Sequence, residues 1–224
     1  MLFEFEKTGT VEGLAGIIRE VCKNNEIKGL MILCGDDNGF TPNNLDTLLK
    51  SISIPLFGAV FPELLYGLKR VSRGSIVVGF TSDISINLIE EVSSPGKDFD
   101  FLIDTEIPEI GDSKTMFVFV DGYSERVTSL IESLFNIFGL ELNYIGGGAG
   151  SINPVKLDMK QVPCILTNDG MKKDCAILTL TTIESGIGVQ HGWDQTLSGP
   201  HKVTESEGNI VKSMDWEPAF EVYR

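Results

Sequence analysis

The sequence predicts an α/β fold with α+β character in its C-terminal third: a mixed β-sheet with crossover helices, followed by antiparallel hairpins. Short apolar, β-branched runs alternate with amphipathic helical stretches through residue 150, the pattern of strand–helix–strand crossovers. From Pro163 onward the helical period disappears, and short β runs are separated by turn residues. A chain of 224 residues with 42% hydrophobic and 22% charged side chains can bury a substantial core.

Val11, Leu14, Ile17, Ile18 and Val21 share one helical face behind Thr10, a good N-cap. Residues 28–34 (KGLMILC) then read as a buried strand. Thr41-Pro42 opens a short helix to Lys50, because Thr caps and proline is tolerated at the first helical position. Residues 53–60 (SIPLFGAV) and 75–81 (SIVVGFT) follow as apolar strands. The acidic stretch 90–111, with Ser93-Ser94-Pro95-Gly96-Lys97, reads as a solvent-side excursion.

The second half restarts the pattern. Residues 115–120 (TMFVFV) form a β-rich run that ends in Asp121-Gly122, and Ser124 is placed to cap a helix whose Val127, Leu130, Ile131, Leu134 and Phe138 share one face. Residues 142–145 are the next strand, which the run Gly146-Gly147-Gly148-Ala149-Gly150 is expected to end as a loop. A right-handed crossover of this kind brings Asp121 and the glycine run to one sheet edge, where open α/β sheets bind ligands. Beyond it, β-hairpins are expected over 164–182, with further strands at 188–193, 202–206 and 209–213. Asn168-Asp169-Gly170-Met171 predicts a turn centred on Asp-Gly, which sets Cys164 opposite Cys175. Such a pair would be strained as a disulfide, so both are read as reduced core thiols.

Charge and motifs exclude several function classes. A net charge of -14 repels nucleic acid and negative membrane surfaces alike. The amino terminus lacks the basic and apolar regions of an export signal, and no apolar run is long enough to span a bilayer, so a cytoplasmic location is expected. The four cysteines form no CxxC pair and no disulfide framework. A dinucleotide fingerprint begun at Gly146 would need glycine where Ser151 stands, and no phosphate-loop motif occurs. His191 and His201 have no convincing third ligand, so neither metal nor cofactor is expected. The only nucleophile–base assembly joins Cys164 or Cys175 to His191 and Asp194, and both thiols lie in apolar runs that make them inert; no catalytic residue is assigned.

The candidate ligand residues are therefore Asp121, the backbone of Gly146, Gly147, Gly148, Ala149 and Gly150 with Ser151, and His191 and Trp193 on one face of a strand; Thr204 and Glu205 are candidate additions from the last hairpin. Each has a plain alternative: a tight backbone crossing for the glycines, a turn former for Asp121, a packed aromatic pair for His191 and Trp193. Amide donors beside a carboxylate would suit an amino-acid zwitterion.

Residues 142–151 (LNYIGGGAGS) after 115–122 (TMFVFVDG), with 188–193 (GVQHGW), 202–211 (KVTESEGNIV) and 217–223 (EPAFEVY), resemble the FIST family over most of the chain. The resemblance implies an N-terminal FIST domain over 1–215, with 216–224 starting a helix that leads to a C-terminal FIST domain. It further implies an intracellular sensory module of signal transduction that binds a small ligand, amino acids having been proposed, and that pairs with a C-terminal FIST domain or a second copy. The family has no established reaction. An enzyme of the hydrolase or transferase class using the His191 region, and a protein–protein interaction module, stand as alternative readings. Residues 57–63 (FGAVFPE) are bulkier than the small, polar segment of many relatives, which bears on the ligand.

Overall fold

The computed structural model describes residues 1–152, 162–188, 200–207 and 210–224. His191 and Trp193 therefore lie outside the described residues. The chain groups into two compact units, Met1–Ile187 and Gly188–Arg224.

The larger unit contains two mixed sheets built on one plan. Its first half runs β1 (Leu2–Glu6), α1 (Val11–Val21), β2 (Gly29–Gly35), α2 (Pro42–Lys50), β3 (Leu56–Phe61), a hairpin of β4 (Leu64–Tyr66) and β5 (Lys69–Val71), and β6 (Ser75–Phe80). Its second half repeats the order: β7 (Ile84–Glu90), α3 (Phe99–Glu106), β8 (Thr115–Asp121), α4 (Val127–Phe138), β9 (Asn143–Ala149), a hairpin of β10 (Ile165–Thr167) and β11 (Gly170–Lys172), and β12 (Cys175–Thr181). Sheet order repeats as well, β1-β6-β2-β3 in the first half and β7-β12-β8-β9 in the second. In both, the crossover strands are parallel and the remaining pairs antiparallel. One asymmetry breaks the duplication: β10 leaves its own half and pairs antiparallel with β3, extending the first sheet to six strands.

The two sheets stack face to face between two helical layers. Phe57 and Phe80 of the first sheet meet Phe117 of the second, and Phe57 also meets Phe119, with ring centroids 5.5–5.9 Å apart. Because side chains alternate along a strand, Leu56, Gly58 and Val60 face α2, and Met116, Val118 and Val120 face α3 and α4. Leu14, Ile18 and Val21 of α1 and Leu45 and Leu49 of α2 close one outer core, while Ile103 of α3 and Leu130, Leu134 and Phe138 of α4 close the other. The apolar periodicities read in α1 and α4 are thus the buried faces.

Local signals are realised unevenly. Thr10 caps α1, its hydroxyl accepting the Gly13 N–H at 3.1 Å, and α2 starts at Pro42 with the Thr41 N–H donated to Asn44. Ser124 does not cap α4; its hydroxyl donates to Asp174 at 2.9 Å, and α4 begins at Val127. The acidic excursion hides α3, capped by Asp98, whose carboxylate accepts the Phe101 N–H at 3.0 Å. The β10–β11 turn is displaced by one residue, pairing Thr167 with Gly170 and Ile165 with Lys172, so Cys164 is not set opposite Cys175 in this hairpin and donates its N–H to Lys172. Asn168 enforces this: its side chain bonds the Leu56 N–H and the Ile52 and Ile54 carbonyls, tying the turn to the start of β3. Cys175 then enters β12 in the other sheet after Asp174, whose φ of 49° marks the change of direction. All four cysteines are free thiols.

The smaller unit holds an antiparallel sheet of β13 (Val203–Glu207), β14 (Ile210–Met214) and β15 (Glu217–Pro218), followed by the short helix α5 (Ala219–Tyr223).

Candidate functional site

The glycine run is not a loop. It continues β9 to Ala149, in parallel register with β8, so that Gly146, Gly147 and Gly148 lie beside Val118, Phe119 and Val120. Gly146 is required by close approach, since a Cβ there would overlap the backbone of Val118. Gly58 meets the same restriction against Ile32 at the corresponding place in the first sheet. Gly150 is required by conformation: its φ is 133°, and a Cβ would press on the Tyr123 ring. Gly147 and Gly148 are different, because Gly147 has open space around its Cβ position and Gly148 only an ordinary contact at 3.4 Å. Packing does not explain them.

Among the described residues no strand pairs with the far edge of β9. Residues 143, 145, 147 and 149 turn their amides toward β8, as shown by the Asn143 N–H to Lys114 and the Gly122 N–H to Ala149, both 2.9 Å. Gly146 and Gly148 therefore direct N–H and C=O away from β8, and both are solvent-exposed. Beside them is a pocket of about 300 Å³, walled by Val118 and Val120 of β8 and by Val127, Ile131 and Phe135 of α4. The one phenol there, on Tyr144, bonds the Leu134 and Gly139 carbonyls at 3.3 and 3.1 Å. The groove thus offers an apolar wall and a neutral backbone edge.

Asp121 is paired with Ala149, as the crossover predicts. Its side chain is fully buried, and its oxygens accept the Tyr123 N–H at 3.0 Å and the Asp174 N–H at 2.7 Å. It presents no open carboxylate; it locks the β8–α4 turn to the start of β12. Asp174 passes the connection on, accepting from Ser93 and Ser124. Cys164 also bonds Asp121, and burial first, then the Asp121 charge, pushes its thiol up. Burial raises Cys34 and Cys175 to about 12 as well. At neutral pH these thiols are protonated and poor nucleophiles.

At the end of β9 the two halves meet. The Gly150 N–H donates to the Val60 carbonyl at 2.9 Å, Tyr123 donates its hydroxyl to the Ser151 carbonyl, and Ser151 donates its own hydroxyl to buried Asp36. Burial, then the charges of Asp121 and Asp36, raise the Tyr123 phenol. Asp36 and Tyr123 were not among the residues expected here. The signal for Asp36 was legible, because residues 35–39 (GDDNG) follow the apolar strand β2 as Asp121-Gly122 follows β8.

Thr204 and Glu205 belong to the smaller unit. The Thr204 hydroxyl contacts that of Ser213 at 2.8 Å and accepts the Trp216 N–H at 3.0 Å, while Glu205 faces Lys212 at 3.9 Å. Among the described residues no three His, Cys, Asp or Glu side chains gather as metal ligands, and no helix is long and apolar enough to cross a membrane.

No curated protein and no solved structure matches the sequence significantly. The family model of the FIST N domain matches residues 30–217, which takes in both sheets from β2 onward and most of the smaller unit. The chain belongs to the FIST family, as a FIST N domain, a sensory domain of signal transduction.

Proposed function

We propose that this chain is a cytoplasmic sensory module whose small ligand lies against the free edge of β9, and that the ligand is an aliphatic or aromatic amino acid. The observation that carries this is the pair Gly147 and Gly148, which packing does not demand, beside an apolar pocket of about 300 Å³, the lower end of the range for small-molecule sites. An amino acid set antiparallel to the strand opposite Gly148 donates its ammonium to the Gly148 carbonyl and accepts the Gly148 N–H with its carboxylate. It meets the edge as one residue of a neighbouring strand would. Its side chain then shares the face of Gly148 and enters the groove between Val120 and Ile131.

In this reading Asp121 positions the β8–α4 turn and does not touch the ammonium. Gly150 and Ser151 fix the end of β9 through Val60 and Asp36. Calorimetric titration with the twenty amino acids tests the proposal. Leucine, isoleucine, methionine or phenylalanine should bind, and lysine and aspartate should not, because none of the described residues lining the groove is charged. Absence of heat from all twenty refutes it.

A further inference from the structure

Among the described residues the duplicated fold contains one groove that is filled and one that is open. In the first half, the place between β3 and α2 is occupied by the β10–β11 hairpin: Leu166 pairs antiparallel with Gly58, and Leu166 and Met171 are buried, the Met171 N–H donating to Asp46 of α2 at 2.9 Å. In the second half, β9 and α4 hold the corresponding positions. Gly146 corresponds to Gly58, since each is the strand glycine whose missing Cβ makes room for the parallel partner's backbone. The place that Leu166 fills in the first half is the apolar pocket of the second.

The hairpin that corresponds to β10–β11 is β4–β5, which follows β3 as β10–β11 follows β9. Both hairpins close on a two-residue turn, and the register equates Leu65 with Leu166. Leu166 is 0% exposed, whereas Leu65 is 74% exposed, with Leu68 fully exposed beside it. Within its own chain β4–β5 forms a separate two-stranded sheet, held over the first half by Tyr66 stacked on Phe5 at 4.3 Å. Charge favours a contact between copies. Arg70 is paired with Glu63, but Lys69 and Arg73 meet no acid within residues 64–73, while residues 127–150 carry Glu132 and Glu141 and no base.

We infer that the β9–α4 groove of one copy receives the β4–β5 hairpin of a second copy, Leu65 entering opposite Gly146 as Leu166 enters opposite Gly58 within the chain. Each copy offers one exposed hairpin and one open groove, and two reciprocal contacts related by a two-fold axis close a symmetric dimer. Strand addition of this kind satisfies the free amides of Gly146 and Gly148 and covers the exposed leucines. The inference concerns the same groove as the proposed ligand and names its regulation: the hairpin and the amino acid exclude one another, so ligand binding releases the dimer.

Light scattering after size exclusion, at chain concentrations from micromolar to hundreds of micromolar, tests this on the full chain. The wild type should reach a mass near twice the 24.5 kDa of the chain. Leu65→Asp, at an exposed position, and Gly148→Val, which plugs the groove where a Cβ meets only ordinary contact, should each weaken the dimer at least tenfold with unchanged circular dichroism and no loss of melting temperature. Mixed one to one, the two variants should recover a heterodimer, because the hairpin of the second still fits the groove of the first. A wild type that stays monomeric, or a dimer that survives both substitutions, overturns the inference. A monomer that still titrates with leucine would leave the proposed function standing, and a dimer that takes up no amino acid would do the reverse.

Discussion

Replacing Gly146 by alanine should destabilise the larger unit by about 3–5 kcal/mol, whereas the same change one residue on should not destabilise it at all. At Gly146 the added methyl would overlap the carbonyl of Val118, and its other near neighbours are also Val118 backbone, with the nitrogen at 3.0 Å. Backbone in the middle of a sheet cannot rotate aside, so β9 must move off β8. Overpacking of this kind costs roughly 1–3 kcal/mol, and loss of two ladder hydrogen bonds adds about 1 kcal/mol each. At Gly147 nothing lies within 4 Å of the Cβ position. Alanine there restricts the unfolded chain and should stabilise by roughly 0.5 kcal/mol. With a urea slope of about 2 kcal/mol per molar, the two variants should differ in midpoint by more than about 1.5 M. Tryptophan-independent far-UV circular dichroism in urea reads this directly. Equal midpoints for the two variants would refute the assignment of Gly146 as the crossing residue and Gly147 as the spare one.

Asp121→Asn should cost roughly 2 kcal/mol, since one of the two backbone N–H groups that the carboxylate accepts would face an amide N–H instead; chemical denaturation measures it. Gly150→Ala forces a side chain into φ of 133° against the Tyr123 ring and should cost about 1–3 kcal/mol by the same assay. Stability should also fall in alkali. Cys34 and Cys175 ionise near 9 in the unfolded chain and only at about 12 in the fold, so their contribution is intact below pH 9 and is lost as pH rises toward 12, by about 1.4 kcal/mol per pH unit per thiol. A Cys34→Ala variant should show a shallower decline of its urea midpoint between pH 9 and 11.

Much of this architecture was written in local signals. The amphipathic faces of α1 and α4, the Thr10 and Thr41-Pro42 helix starts, and the crossover that sets Asp121 beside Ala149 all follow from residues close in sequence. What escaped depends on partners far away. α3 has two turns and carries Asp100, Asp104 and Glu106 among its eight residues, so its buried face of Phe99 and Ile103 is too short to show a period. The displaced hairpin turn depends on Asn168 reaching Ile52, Ile54 and Leu56, more than a hundred residues away. The glycines read as a loop because glycine usually ends a strand; here β8 supplies the pairing that holds them extended. Asp121 was legible as a turn former, but its burial could not be seen without Asp174, whose N–H takes its second oxygen.

The duplication explains why, among the described residues, the free edge falls on β9 and not on β3. Both strands end a crossover, both carry the crossing glycine, and each is followed by a hairpin able to cover an edge. The tethers differ. Only Pro62 and Glu63 separate β3 from β4, and Glu63 holds Arg70 of β5, so the first hairpin stays folded over its own half. Residues 150–164 separate β9 from β10, enough chain for the second hairpin to leave its own edge and cover β3. Gly150 begins that departure, its N–H already given to Val60 of the first half and its positive φ turning the chain out of β9. Shortening the 150–164 tether should therefore uncover β3 and expose Leu166 before it disturbs β9, whose pairing to β8 is complete at Ala149. Amide exchange in such a variant should accelerate in β10 and β3 while β8 stays protected, and exchange that instead rose first in β8 would contradict this account of how the open edge arises.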